Sequence, residues 1–187
     1  MNKPLVLVTA PVATRSGYGN HSRDICRALI ELDKYDVKIN SVRWGTTPMN
    51  ALEQDNDIHK EIHKKIFTNP NLRREPDVHL HIVVPNEFQP VGKYNIGITA
   101  GLEATVIPQS WIEGCNRMDL VLASSKFSVE VMEQTVYKNE QGQELKIQKP
   151  LDVLFEGADT EIYHRKKSGD EYSKVLVDAM DQVETSW

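Results

Sequence analysis

Leu5-Val6-Leu7-Val8, then Thr9-Ala10-Pro11-Val12-Ala13-Thr14-Arg15-Ser16-Gly17-Tyr18-Gly19-Asn20-His21-Ser22, then the amphipathic run from Arg23 to Leu32: this order reads as a buried strand, a glycine-rich turn and a helix. In an α/β sheet such a turn lies at the carboxyl edge of the first strand, where ligands bind. Two glycines let backbone approach a ligand closely, and a helix start offers unpaired N–H groups with a partial positive charge.

Gly17-x-Gly19-x-x-Ser22 is a degraded dinucleotide fingerprint, with serine in the third glycine position. A complete fingerprint also needs an acidic residue at the end of the second strand to hold the ribose. The second strand here, Val37-Lys38-Ile39-Asn40-Ser41-Val42-Arg43, ends without a carboxylate. A nicotinamide-type dehydrogenase is therefore disfavoured. A turn that merely joins strand to helix is the plain alternative, but the loop exceeds the usual length of a βα connection.

The 187 residues suffice for one well-buried α/β domain, and 40% hydrophobic and 26% charged residues are ordinary globular values. A net charge of −5 with no basic block argues against nucleic acid as a partner. No apolar window approaches the length of a transmembrane segment, and the N-terminal residues lack a secretory pattern. Cys26 and Cys115 fall in helix-like stretches and read as reduced packing residues, so a cytoplasmic location is expected.

Beyond the opening strand (Leu5 to Thr9) and helix (about Gly19 to Leu32), strand 2 is expected over Val37 to Val42. A polar, partly helical segment follows from Trp44 to Phe67. Its His59 and His63 have metal-compatible i, i+4 spacing, but they sit in a lysine-rich run without an HExxH pattern, which reads as a solvated helix face. Strand 3, Val78 to Val84, alternates Val78, Leu80 and Ile82 on one face with His79 and His81 on the other. It runs into Pro85-Asn86-Glu87-Phe88. Strand 4, Tyr94 to Thr99, is followed by Glu103, and Ile107 to Glu113 reads as a helix with proline in its first turn. Strand 5, Leu120 to Ala123, leads through Ser124 and Ser125, which can cap a helix over Lys126 to Gln134. A hairpin is expected between Tyr137 and Ile147, and strand 6 over Leu151 to Phe155, ending in Glu156-Gly157-Ala158-Asp159. Ser168 to Glu171 has a capping-box pattern that opens a helix to about Thr185, whose stripe (Tyr172, Val175, Leu176, Ala179, Met180, Val183) needs a partner surface.

This alternation predicts an α/β, three-layer Rossmann-like domain: a mostly parallel sheet of about six strands with helices on both faces. The glycine loop, Asn86/Glu87, Glu103, Ser124/Ser125 and Glu156/Asp159 then converge on one sheet edge.

Three sets of residues together carry a family resemblance. They are Ser16-Gly17-Tyr18-Gly19 after strand 1; Glu103 to Trp111 followed by Asn116 to Ser128; and Leu154-Phe155-Glu156-Gly157-Ala158-Asp159-Thr160. In this order and spacing, across Val6 to Tyr163, the chain resembles the N-terminal, acceptor-side domain of a two-Rossmann-domain (GT-B) glycosyltransferase of the family 4-like group. The resemblance implies a Rossmann-like domain over residues 1–164 and a linker and C-terminal helix over 165–187. It implies sugar transfer from a nucleotide-sugar donor to an acceptor, through an oxocarbenium-like transition state and without a metal. In that architecture the donor rests mainly on a second Rossmann domain, to which none of these residues corresponds. The 187 residues alone are therefore expected to be inactive and to hold no cofactor tightly.

The same resemblance implies that Ser16, Gly17, Tyr18, Gly19 and Asn20 face the donor phosphates. It assigns Glu87 and Glu103 as candidate catalytic carboxylates and Asn86, Ser124, Ser125, Glu156 and Asp159 to the acceptor side of the cleft. A carboxylate there serves either as base or as hydrogen-bond partner of acceptor hydroxyls; the plainer role for Glu87 and Glu103 is to cap turns or helix starts. Two other classes stand beside this one: a non-catalytic nucleotide- or sugar-phosphate-binding module, and a self-associating protein that covers its own edge through the C-terminal helix. The loop over Gly17–Asn20 is expected to be exposed and mobile, since the ligand and domain that would order it are missing.

Overall fold

The computed structural model describes residues 3–67, 72, 74–100, 104–158 and 160. The chain divides into two compact units, Met1–Phe155 and Glu156–Trp187. The expected C-terminal helix, Glu103 and Asp159 lie outside the described residues.

In the first unit the elements run β1 (Leu5–Ala10), α1 (Gly17–Leu32), β2 (Asp36–Ser41), α2 (Asp57–Lys65), β3 (Val78–Ile82), β4 (Tyr94–Thr99), α3 (Gln109–Asn116), β5 (Leu120–Ala123), α4 (Lys126–Gln134), a small hairpin of β6 (Tyr137–Lys138) and β7 (Glu144–Leu145), and β8 (Leu151–Val153). Six of the strands form one all-parallel sheet in the order β2-β1-β3-β4-β5-β8. One further parallel bridge joins Ile66 to Ile39, and the Phe67 N–H donates to the Ile39 carbonyl at 3.1 Å. With that short extension beyond β2, the order is the 3-2-1-4-5-6 of the dinucleotide-binding fold with β8 added as a seventh position, and its direction reverses between β1 and β3.

That reversal decides where the helices go. From β1 to β2 and on to Ile66 the chain steps one way, so right-handed crossovers lay α1 and α2 on one face. From β3 onward it steps the other way, which puts α3 and α4 on the opposite face. The cores follow. Cys26 of α1 and Ile62 of α2 pack with Val6, Val8, Ile39, Leu80 and Ile98. Ile112 and Cys115 of α3 and Val131 and Met132 of α4 pack with Val121, Ala123 and Phe88. Every residue of β1 is buried, as a central parallel strand covered on both faces requires.

The departures from expectation lie at element ends and have local causes. Helix α1 begins at Gly17 because Ser16 caps it, accepting from the Gly19 N–H at 3.0 Å. Strand β3 stops at Ile82, and Pro85–Glu87 forms a single 3-10 turn rather than more strand. Pro108 is the N-cap of α3 rather than part of its first turn, and only Asp57–Lys65 of the polar 44–67 segment is helical. Strand β8 is two residues shorter than its apolar run. Among the described residues no helix is long and apolar enough to cross a membrane.

Candidate functional site

The strand order reverses between β1 and β3, the place where open α/β sheets bind ligands, and the segments that follow those two strands lie at the same carboxyl edge. On the β1 side the loop is held by its own polar groups. The Val12 N–H donates to the Ala10 carbonyl (2.9 Å) and the Thr14 N–H to the Pro11 carbonyl (3.0 Å). The Thr14 hydroxyl donates to the Pro11 carbonyl and lies 2.8 Å from the Ser16 hydroxyl. Arg23, one turn into α1, reaches back: its Nη1 donates to the carbonyls of Val12 (2.8 Å) and Thr14 (3.0 Å), and its Nη2 to Asn20 Oδ1. Partial burial lowers the Arg23 pKa from its ordinary value. Arg15 turns outward and donates to the side chain (3.0 Å) and carbonyl (3.3 Å) of Asn50, with Glu53 at 3.7 Å.

The two glycines of the loop do different work. A side chain at Gly17 would meet nothing within 4 Å, so this residue leaves open space beside the helix start. At Gly19 a Cβ would fall well under 3.0 Å from the Thr14 carbonyl oxygen and 2.8 Å from its hydroxyl. Glycine is required there because α1 presses against its own loop. Gly17 and Asn20 are exposed as expected, but Gly19 is buried and Tyr18 half-buried.

Tyr18 links the α1 start to two distant segments. Its ring stacks on Trp44, with centroids 4.2 Å apart, and its hydroxyl lies 2.9 Å from the Thr99 hydroxyl and accepts from the Ala100 N–H at 3.1 Å. The start of α1 is thereby tied to the end of β4. On the β3 side, Asn86 and Glu87 are exposed on the 3-10 turn, which no side-chain hydrogen bond caps. Arg117 fixes that turn by donating to the carbonyls of Asn86 and Phe88, both at 2.8 Å, and α3 comes so close that Gly114 has no room for a Cβ beside Pro85.

The parallel sheet brings Ser16–Asn20, Asn86, Glu87, Ser124 and Ser125 to one edge. Ser125 is committed to capping α4, where it accepts from the Ser128 N–H at 3.1 Å. Glu156 belongs to the second unit, three residues after β8. Sequence reasoning passed over Arg23, Trp44, Thr99 and Arg117. Thr99, as the last residue of β4, carried a positional signal; the other three act through contacts between segments far apart in sequence.

Each of the described histidines 59, 63, 79 and 81 has a plain structural setting. Among the described residues no group of three or more His, Cys, Asp and Glu could hold an ion. His59 Nδ1 accepts from the Glu53 N–H at 3.1 Å, and His63 is exposed. His79 and His81 are buried side by side on β3, and burial pushes both pKa values down to about 4, so both rings are neutral at pH 7. Both cysteines are free and buried; burial pushes the two thiols up to about 12, and neither is a nucleophile.

The described groups at this edge include the α1 helix start after β1 and an exposed amide and carboxylate, Asn86 and Glu87, after β3. Such a set can hold an anion on one side and a polyhydroxyl group on the other. Compared with protein-family models, curated proteins and solved structures, the chain matches none.

Proposed function

We propose that this chain is the acceptor-side domain of a glycosyltransferase that uses a nucleotide-sugar donor. The observation that carries the reading is the pairing, across the β1/β3 reversal, of a glycine-opened helix start with an exposed Asn86-Glu87 turn. The first turn of α1 supplies positive potential for a diphosphate leaving group, and such stabilisation grows as charge develops in the transition state. Glu87, exposed on the 3-10 turn, serves as base or hydrogen-bond partner for an acceptor hydroxyl. Gly17 keeps the path between the two sides open.

Amide-resolved NMR titration of the 187-residue chain with nucleoside diphosphates, nucleotide-sugars and neutral oligosaccharides tests this reading. Weak, millimolar-range shifts are expected at Gly17–Asn20 with the nucleotides and at Asn86–Phe88 with a saccharide. Micromolar nucleotide binding would favour a self-sufficient nucleotide-binding module instead. No shift at this edge with any of the three classes would refute the proposal.

A further inference from the structure

The sheet face opposite α1 holds a second feature. Val6, Val8, Leu80 and Ile82 pack with α1 and α2, so the alternate residues Leu7, Thr9, His79 and His81 face the other way. Helices α3 and α4 lie on that side, packed with Val121 and Ala123 of β5. Above β1, β2 and β3 there is instead a cavity of about 410 Å³, within the size range of small-molecule pockets. Its apolar wall is Leu7, Phe67, Leu72 and Val91, and among the described residues no charged side chain lines it.

Its polar wall is the histidine pair. His79 is 1% exposed; its Nε2 lies 2.9 Å from the Thr9 hydroxyl, while its Nδ1 is buried without a hydrogen-bond partner. His81 Nδ1 accepts from the Gln89 N–H at 3.0 Å. A backbone N–H can only donate, so this nitrogen carries no proton, and the neutral ring must be protonated at Nε2. The two rings stand 5.3 Å apart, centroid to centroid. The cavity therefore combines an apolar body with the His81 ring, whose Nε2–H is a donor.

We propose that this cavity binds a neutral small molecule with an apolar, ring-sized body and one hydroxyl or carbonyl oxygen that accepts from His81 Nε2–H. Among the described lining residues no charged side chain is present to offset the desolvation of an anion or a cation. The site lies on the opposite sheet face from α1 and does not depend on the glycosyltransferase reading.

The test uses p-cresol as a neutral probe and benzoate as an anion of similar size, with the chain labelled at its histidine ring nitrogens and backbone amides. Before addition, His81 should show the Nε2–H tautomer. p-Cresol should shift His81 Nε2 and the amides of Gln89 and Val91 saturably, benzoate should not, and Val91→Trp, which fills the mouth, should weaken p-cresol binding at least tenfold. Leu72→Trp serves the same purpose should the first variant lose its native amide dispersion. Unmoved ring nitrogens at millimolar p-cresol, equal binding of benzoate, or unchanged affinity in a folded tryptophan variant would overturn the proposal.

Discussion

Gly17 and Gly19 are two residues apart in one motif, yet alanine at the two positions should move stability in opposite directions. At Gly19 the new methyl meets the Thr14 carbonyl, the Thr14 hydroxyl at 2.8 Å and the Pro11 carbonyl at 3.1 Å. Two of these are backbone atoms that cannot rotate away, and Arg23 clamps the Thr14 carbonyl in place. Overpacking of a rigid site costs about 1–3 kcal/mol, and a clash with backbone belongs at the upper end. Gly19→Ala should therefore lose about 3 kcal/mol, which for a chain of this size lowers Tm by roughly 6–12 °C. At Gly17, the first residue of α1, nothing lies within 4 Å and φ is not in the left-handed region. Alanine there reduces the entropy of the unfolded chain and should stabilise by about 0.5 kcal/mol. Urea unfolding followed by far-UV circular dichroism, with a common m-value, measures both. If Gly19→Ala falls within 0.5 kcal/mol of the parent, or Gly17→Ala is the more damaging, the division of labour between the glycines is wrong.

The histidine pair makes stability depend on pH. Both folded-state pKa values lie at about 4, below the ordinary value of 6.5, so between these pH values the unfolded chain binds more protons. Stability is complete above about pH 6.5 and falls towards pH 4, by up to about 3 kcal/mol for each ring. Urea unfolding at pH 7.5 and 4.5 should show the loss, and His79→Gln/His81→Gln should flatten the slope; equal slopes would refute it. The thiols give a second expectation: a disulfide-exchange reagent at pH 8 should label neither Cys26 nor Cys115 in the folded chain, and both in urea. Fast labelling of either in the native protein would mean that the helix carrying it opens readily.

The fold was legible because its signals are local. Leu5 to Val8 read as a strand buried on both faces, and β4, β5 and α4 have the bounds that their apolar runs and the Ser125 cap foretell. Ser125 is the clearest case, since a serine between an apolar run and an amphipathic one has a hydrogen bond to make. The parallel alternation then forced the polar segments to one edge before any distance was known. What sequence could not give was the contact between segments. Nothing in Arg117 announces that it holds the turn after β3, and the pairing of Tyr18 with Thr99 joins residues 81 apart. The short parallel bridge at Ile66 was likewise hidden, because a single paired residue leaves no period to read.

These long-range contacts change what the glycine loop is. A turn rich in glycine invites the reading of a loose flap that only its ligand orders. Here the Thr14 and Ser16 hydroxyls, the Arg23 guanidinium and the Tyr18 hydroxyl take up the loop's polar groups and anchor both of its ends. The conformation is therefore set before any ligand arrives, and binding at this edge does not first have to order the backbone. Of the four residues Gly17–Asn20, the two that remain exposed, Gly17 and Asn20, lie on the open side of the helix start, while Gly19 and Tyr18 form the support beneath it. Glycine thus serves access at one position and close packing at the other, and it is the packing glycine that gives the loop its rigidity.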